Sequence, residues 1–110
     1  MEIVTEAGAY RPGYFEHLRT PDLSTGTYSI PAGGTDEQSP HTEDEIYVVT
    51  AGRARFRTPD RTVDVAAGTV IFVPAHEPHR FVDITEDLVT LVFFGPAEDT
   101  RKPAPVSEQP

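Results

Sequence analysis

A small antiparallel all-β domain, a barrel or sandwich, is the fold class that this sequence predicts, and three observations carry it. Apolar and polar residues alternate with period two in runs of five to eight residues. Eleven prolines and eight glycines punctuate those runs in a chain of only 110 residues. No segment sustains the 3.6-residue period of an amphipathic helix.

The expected strands are Tyr14–Arg19, Thr25–Ile30, Glu45–Thr50, Arg53–Thr58, Thr62–Ala66, Thr69–Val73, Arg80–Ile84 and Leu88–Phe94. In Arg53–Thr58, Arg53, Arg55 and Arg57 alternate with Ala54 and Phe56, so the arginines read as the solvated face. In Thr62–Ala66, Val63 and Val65 are expected inward, with Thr62 and Asp64 outward. Glu45–Thr50 and Leu88–Phe94 are apolar on both faces, and a two-sided apolar strand has to be covered twice. One small barrel has a single interior. The outer rows therefore predict a homodimer, with the N-terminal segment around Glu2–Thr5 and Tyr10 as the competing cover. From Pro96 to Pro110 the chain is Pro-rich and aperiodic, which predicts a flexible tail behind a single domain over residues 1–95.

Composition excludes several classes of function. The formal net charge is −9 and Lys102 is the only lysine, so neither nucleic acid nor a membrane surface is an expected partner. The chain has no cysteine, which removes disulfides, thiolate metal sites and thiol catalysis. No signal-peptide pattern and no apolar run of about 18 residues is present, so a cytoplasmic location is the expectation. Phosphate-binding loops, Gly-x-Ser-x-Gly and His-Glu-x-x-His are also missing.

What remains is histidine and carboxylate. Of four histidines, His17 and His76 read as surface or turn residues. His41 opens Pro-His-Thr-Glu-Asp-Glu-Ile-Tyr before a strand, and Glu45 is that strand's first residue. His79 follows Val-Pro-Ala-His-Glu-Pro, just past an apolar strand. Two imidazoles and one carboxylate suit Fe, Mn, Zn, Ni or Cu and leave coordination positions open. Tyr47, Phe72, Phe81 and Phe93 are the expected aromatic lining of the interior.

The spacing of these residues resembles the two motifs of the cupin superfamily. The first, Gly-x5-His-x-His-x3–4-Glu-x6-Gly, is matched from Gly33 through Ser39, His41 and Glu45 to Gly52. The second, Gly-x5-Pro-x-Gly-x2-His-x3-Asn, is matched from Gly68 through Pro74, His76 and His79 to Asp83. The resemblance implies a double-stranded β-helix, the cupin jelly roll. It also implies one divalent transition metal held by His41, Glu45 and His79.

Ser39 stands in place of the first histidine and is a poor ligand for these metals, so Gln38 or Glu43 becomes the candidate fourth ligand. A register pairing His41 with Glu43 is an alternative, but it sets Tyr47 at the glutamate position. His76 replaces a turn glycine and Asp83 an asparagine. The resemblance implies activities from dioxygenase to isomerase on a small organic molecule, with Glu45 or Glu43 assisting proton transfer. A non-catalytic small-molecule binder or sensor is the alternative.

Overall fold

The computed structural model describes residues 1–103. Six β-strands form one antiparallel sheet: β1 (Gly13–Thr20), β2 (Leu23–Ile30), β3 (Asp44–Arg57), β4 (Thr62–Ala66), β5 (Val70–Val73) and β6 (Arg80–Gly95). The strand order is β1-β2-β6-β3-β4, with β5 also paired to β3. One edge of β3 therefore follows β6, while its other edge is shared between β5 at Glu45–Val48 and β4 at Arg53–Arg57.

Eight expected strands become six because two breaks do not break the chain. Gly52 and the Thr85–Asp87 stretch were expected to end strands, yet β3 and β6 run through both. The β3–β6 register shifts between Val49 and Arg55 instead. These bulges change which face a residue meets. In β3 the buried row is Glu45, Tyr47 and Val49 before the shift, and Ala54 and Phe56 after it. In β6 it is Phe81 before and Ile84 and Leu88 after, with Asp83 holding a left-handed backbone (φ 49°) between them. Aspartate tolerates that conformation better than most side chains, which suits its place at the bulge.

The core is the inward rows of this curled sheet. Tyr47, Phe56 and Phe81 pack edge to face with centroids 4.9–5.8 Å apart. Ile30, Val65, Val73, Leu88, Val92 and Phe94 complete it. Two of the four aromatics expected to line the interior are corrected here. Phe72 is 61% exposed, and both it and Phe93 pair with Ile46 on the face opposite Glu45 and Tyr47. Phe56 and Phe94 take the inward places. Val63, also expected inward, is 43% exposed, whereas Val65 is buried.

The expected tail from Pro96 is likewise corrected as far as Arg101, while residues 104–110 lie outside the described residues. Ala97 is fully buried, the Glu98 amide donates to Ser24 Oγ at 2.9 Å, and a turn follows. The anchor is Glu43. Its buried carboxylate accepts from the amides of Asp99 (2.6 Å) and Arg101 (2.9 Å) and from the Thr42 hydroxyl. Burial opposes ionisation, but the donors from Thr42, Arg101 and Asp99 outweigh it, so the carboxyl titrates below its ordinary value.

Two substitutions test this architecture. A Cβ at Gly52 (φ 93°) would lie 2.3 Å from the Asp87 carbonyl oxygen and 2.7 Å from Leu88 Cα. Gly52→Ala should therefore lower stability by about 3 kcal/mol or more in urea unfolding. Gly68→Ala, with similar φ but nothing within 4 Å, should lower it by only about 1 kcal/mol. Equal losses would show that the close approach at Gly52 is not what fixes the bulge. Glu43→Ala leaves two amides without their charged acceptor and should lower stability by about 3 kcal/mol. Trypsin should then cut faster after Arg101, and an unchanged cleavage rate would rule out the clasp.

Candidate metal and ligand centre

The site is set by the start of β3, the turn before β6 and the strap of chain between Ile30 and Asp44. Glu45 and Tyr47 point inward by strand parity, and both are almost wholly buried. His79 enters from the turn Pro74–Pro78, whose backbone His76 shapes by taking a left-handed conformation (φ 69°). The His76 amide donates to the His41 carbonyl at 2.8 Å, which fastens the turn to the strap.

His79 Nδ1 lies 2.8 Å from the Glu77 carbonyl oxygen, and since a carbonyl only accepts, Nδ1 carries the hydrogen. Nε2 then faces Glu45 Oε1 and Tyr47 Oη, each at 3.1 Å. The Tyr47 hydroxyl donates to Gln38 Oε1 (2.9 Å), and Gln38 Oε1 in turn lies 3.3 Å from His41 Nε2. A continuous run of polar atoms thus crosses the interior from Glu45 to His41.

Most of these atoms are acceptors. Glu45 Oε1 is buried without a hydrogen-bond donor. A bare Nε2 beside a carboxylate oxygen sets lone pair against lone pair, so the contact calls for a cation between them, either a proton on the imidazole or a metal ion. Burial lowers the His79 pKa, but the Glu45 contact and the Glu77 carbonyl outweigh it and the net shift is upward. Burial and the neighbouring Glu45 carboxylate push the Tyr47 hydroxyl well above its ordinary value.

Of the three expected ligands, Glu45 and His79 touch. His41 stands back: its ring packs on Phe94 (4.7 Å) and lies 6.2 Å from that of His79. As they lie, no three His, Asp or Glu side chains among the described residues are grouped tightly enough to hold an ion. Gln38, one of the candidate fourth ligands, reaches the cluster, and Ser39 makes no hydrogen bond to it among the described residues. Glu43 is corrected both as a ligand and as a proton-transfer group, because its carboxylate is taken up by the residues 99–101 clasp.

Several residues had no signal in the sequence. Asp36 is buried and accepts from Tyr28 Oη (2.6 Å), Gln38 Nε2 (2.8 Å) and the Phe81 amide (2.9 Å). It aims Gln38 into the cluster. Beyond His41 lies a cavity of about 380 Å³ walled by Tyr14, Tyr28, Gln38, His41, Phe94 and Glu98. The Tyr14 hydroxyl there is buried and unpartnered. Glu98 Oε2 stands 3.6 Å from His41 Nδ1, and burial with Asp99, Glu16 and Glu45 pushes its carboxyl up to about 7.

Comparison with known proteins gives this arrangement a family. A cupin-domain profile matches residues 26–94. An uncharacterized protein of Streptomyces coelicolor is 43% identical over 97 residues, covering 88% of this chain and 92% of its own length. An uncharacterized double-stranded β-helix protein of Klebsiella pneumoniae superposes with a TM-score of 0.74 at 15% identity, covering 87% of this chain and 90% of that one. A cupin 2 conserved barrel protein of Salinispora arenicola gives a TM-score of 0.70 at 19% identity and covers 86% and 88%. The lyase DddQ of Ruegeria pomeroyi, a DMSP lyase, gives 0.65 at 25% identity over 69% of this chain, which spans only 39% of the lyase. The fold is that of the double-stranded β-helix proteins, and the chain belongs to the cupin family.

Proposed function

We propose that the chain is a metal-dependent cupin enzyme acting on a small organic molecule, with Glu45, His79 and His41 as metal ligands and Gln38 as the fourth. The observation that carries this reading is Glu45 Oε1: a buried carboxylate oxygen with no donor, 3.1 Å from an imidazole nitrogen whose tautomer is already fixed. The donor set suits a divalent transition metal, and the Glu77 carbonyl supplies the outer hydrogen bond that metal-binding histidines use. When bound, such a metal supplies Lewis-acid or redox chemistry. The chain's own part is to receive the ligand. The 380 Å³ cavity fits a small molecule, and Phe94 and Val92 give it an apolar wall. The likeness to a DMSP lyase supports an enzyme over a passive binder.

Cobalt(II) titration tests the centre directly. We expect one equivalent per chain with a visible ligand-field band. His79→Ala and Glu45→Ala should abolish the band, and Gln38→Ala should weaken binding about tenfold to a hundredfold. Stoichiometric binding that survives in the His41→Ala/His79→Ala double variant would overturn the assignment.

The same chain is proposed to work as a two-fold dimer. On the outer face the register aligns Phe72–Ile46–Phe93 beside Val70–Val48–Leu91, six apolar side chains over three strands. Ile46, Phe72 and Val70 are 39%, 61% and 65% exposed, and the N-terminal Ile3, at 74%, is itself exposed rather than buried against the body of the chain. The rows carry no charge, so two chains of net charge −9 can meet there without opposing carboxylates. Sedimentation at micromolar concentration should give twice 12.1 kDa, and Phe72→Glu should give the monomer. A wild-type monomer would refute the dimer.

A further inference from the structure

A second cavity lies on the other side of Gln38, and its charge is opposite to that of the rest of the molecule. The β3–β6 ladder sets Arg57 directly across from Arg80. Like charges directly opposite one another repel, so a sheet gains nothing from this pair. Their neighbours on β3 are neutralised: Arg53 pairs with Glu86 at 2.9 Å and Arg55 with Asp64 at 3.1 Å. Among the described residues no carboxylate stands within ion-pair distance of Arg57 or Arg80. Arg11, Arg61, Arg101 and Lys102 form no ion pair either among the described residues, so the distinguishing observation is that Arg57 and Arg80 face each other across the ladder.

The cavity between them has a volume of about 310 Å³, and its polar lining is Gln38, Arg57, Thr58, His79 and Arg80. Prolines supply most of the remaining wall, so its shape is set by backbone that cannot easily relax. No carboxylate lines it, whereas three other cavities each carry two, Asp60 and Glu77, Asp64 and Asp83, and Glu37 and Glu98. Two arginines on facing positions of the ladder, both lining the cavity and neither ion-paired among the described residues, give it local positive charge in an otherwise negative molecule. Each presents a planar fork of donors suited to the two oxygens of a carboxylate.

We propose that this cavity binds the carboxylate of a small organic acid, with Arg57 and Arg80 as its binding residues. The cavity shares His79 with the adjoining centre but is separate from the cavity proposed there for the substrate, so the inference goes beyond that reading and does not rest on it. The carboxylate is taken as the ligand because its two oxygens match one guanidinium fork, and phosphate is the competing oxyanion in the test.

The test follows the arginine side-chain NMR signals of the full chain, as purified and after EDTA treatment, while propionate is added. Propionamide serves as the neutral counterpart and inorganic phosphate as the competing oxyanion. Propionate should shift the Arg57 and Arg80 signals saturably, and propionamide should not. Arg57→Gln and Arg80→Gln should each weaken binding about tenfold, while Arg53→Gln leaves it unchanged. Without ligand, Arg57→Gln should melt about 2 °C higher, since it removes the repulsion, and a lower melting temperature would count against the proposal. Undiminished binding in the Arg57→Gln/Arg80→Gln double variant, or a response to phosphate alone, would overturn it. Metal content measured on the same samples separates the two readings. Arginine-dependent propionate binding in a chain that takes up no metal removes the metal centre and leaves this site, and a loaded centre with no propionate response removes this site alone.

Discussion

The ladder between β3 and β6 is the constraint on which everything else depends. It runs from Asp44 opposite Gly95 to Arg57 opposite Arg80, and its parity sets which residues of β3 face the interior and which the surface. Glu45 and Tyr47 are inside because Ile46 and Val48 are outside. A slip of one residue would exchange those rows and remove the site together with the core. The shifts around Gly52 and Asp83 reverse the parity partway along, so one pair of strands serves the cluster at one end and the Phe56–Phe81 packing at the other.

Three carboxylates are buried in this small interior, and the way each is satisfied separates structure from chemistry. Asp36 receives hydroxyl, amide and side-chain donors, and Glu43 receives two backbone amides and a hydroxyl. Burial without such donors costs several kcal/mol for an ion, roughly, so both are explained by the chain they fasten. Glu45 has only the imidazole of His79 and the acceptor atoms beside it. Its environment is completed by something that carries positive charge.

Much of this was legible in the sequence because period-two alternation and motif spacing are local signals. The strand positions, the inward turn of Ala54, Phe56 and Val65, and the closeness of Glu45 to His79 follow from them. What was not legible depends on distant partners. Glycine signals a break, and only the carbonyl of Asp87 pressed against Gly52 shows that it is a bulge within one strand. Phe72 and Phe93 sit in strands apolar on both faces, where composition cannot say which face is the interior. Glu43 looks as well placed as Glu45 until the amides of residues 99 and 101 are found against it. Asp36 lies outside every expected strand, and the Phe81 amide that donates to it is 45 residues away.

The position of Glu43 between His41 and Glu45 has a practical consequence for anyone handling this protein. A gene shortened to end at Gly95, where the strands stop, would delete both backbone amides that Glu43 accepts from and uncover its carboxylate between His41 and Glu45. The minimal expressible unit therefore extends through Arg101, although no strand lies beyond Gly95 among the described residues. Affinity tags belong at the other end, where Met1 and Ile3 are open to solvent and eight residues of β1 begin only at Gly13.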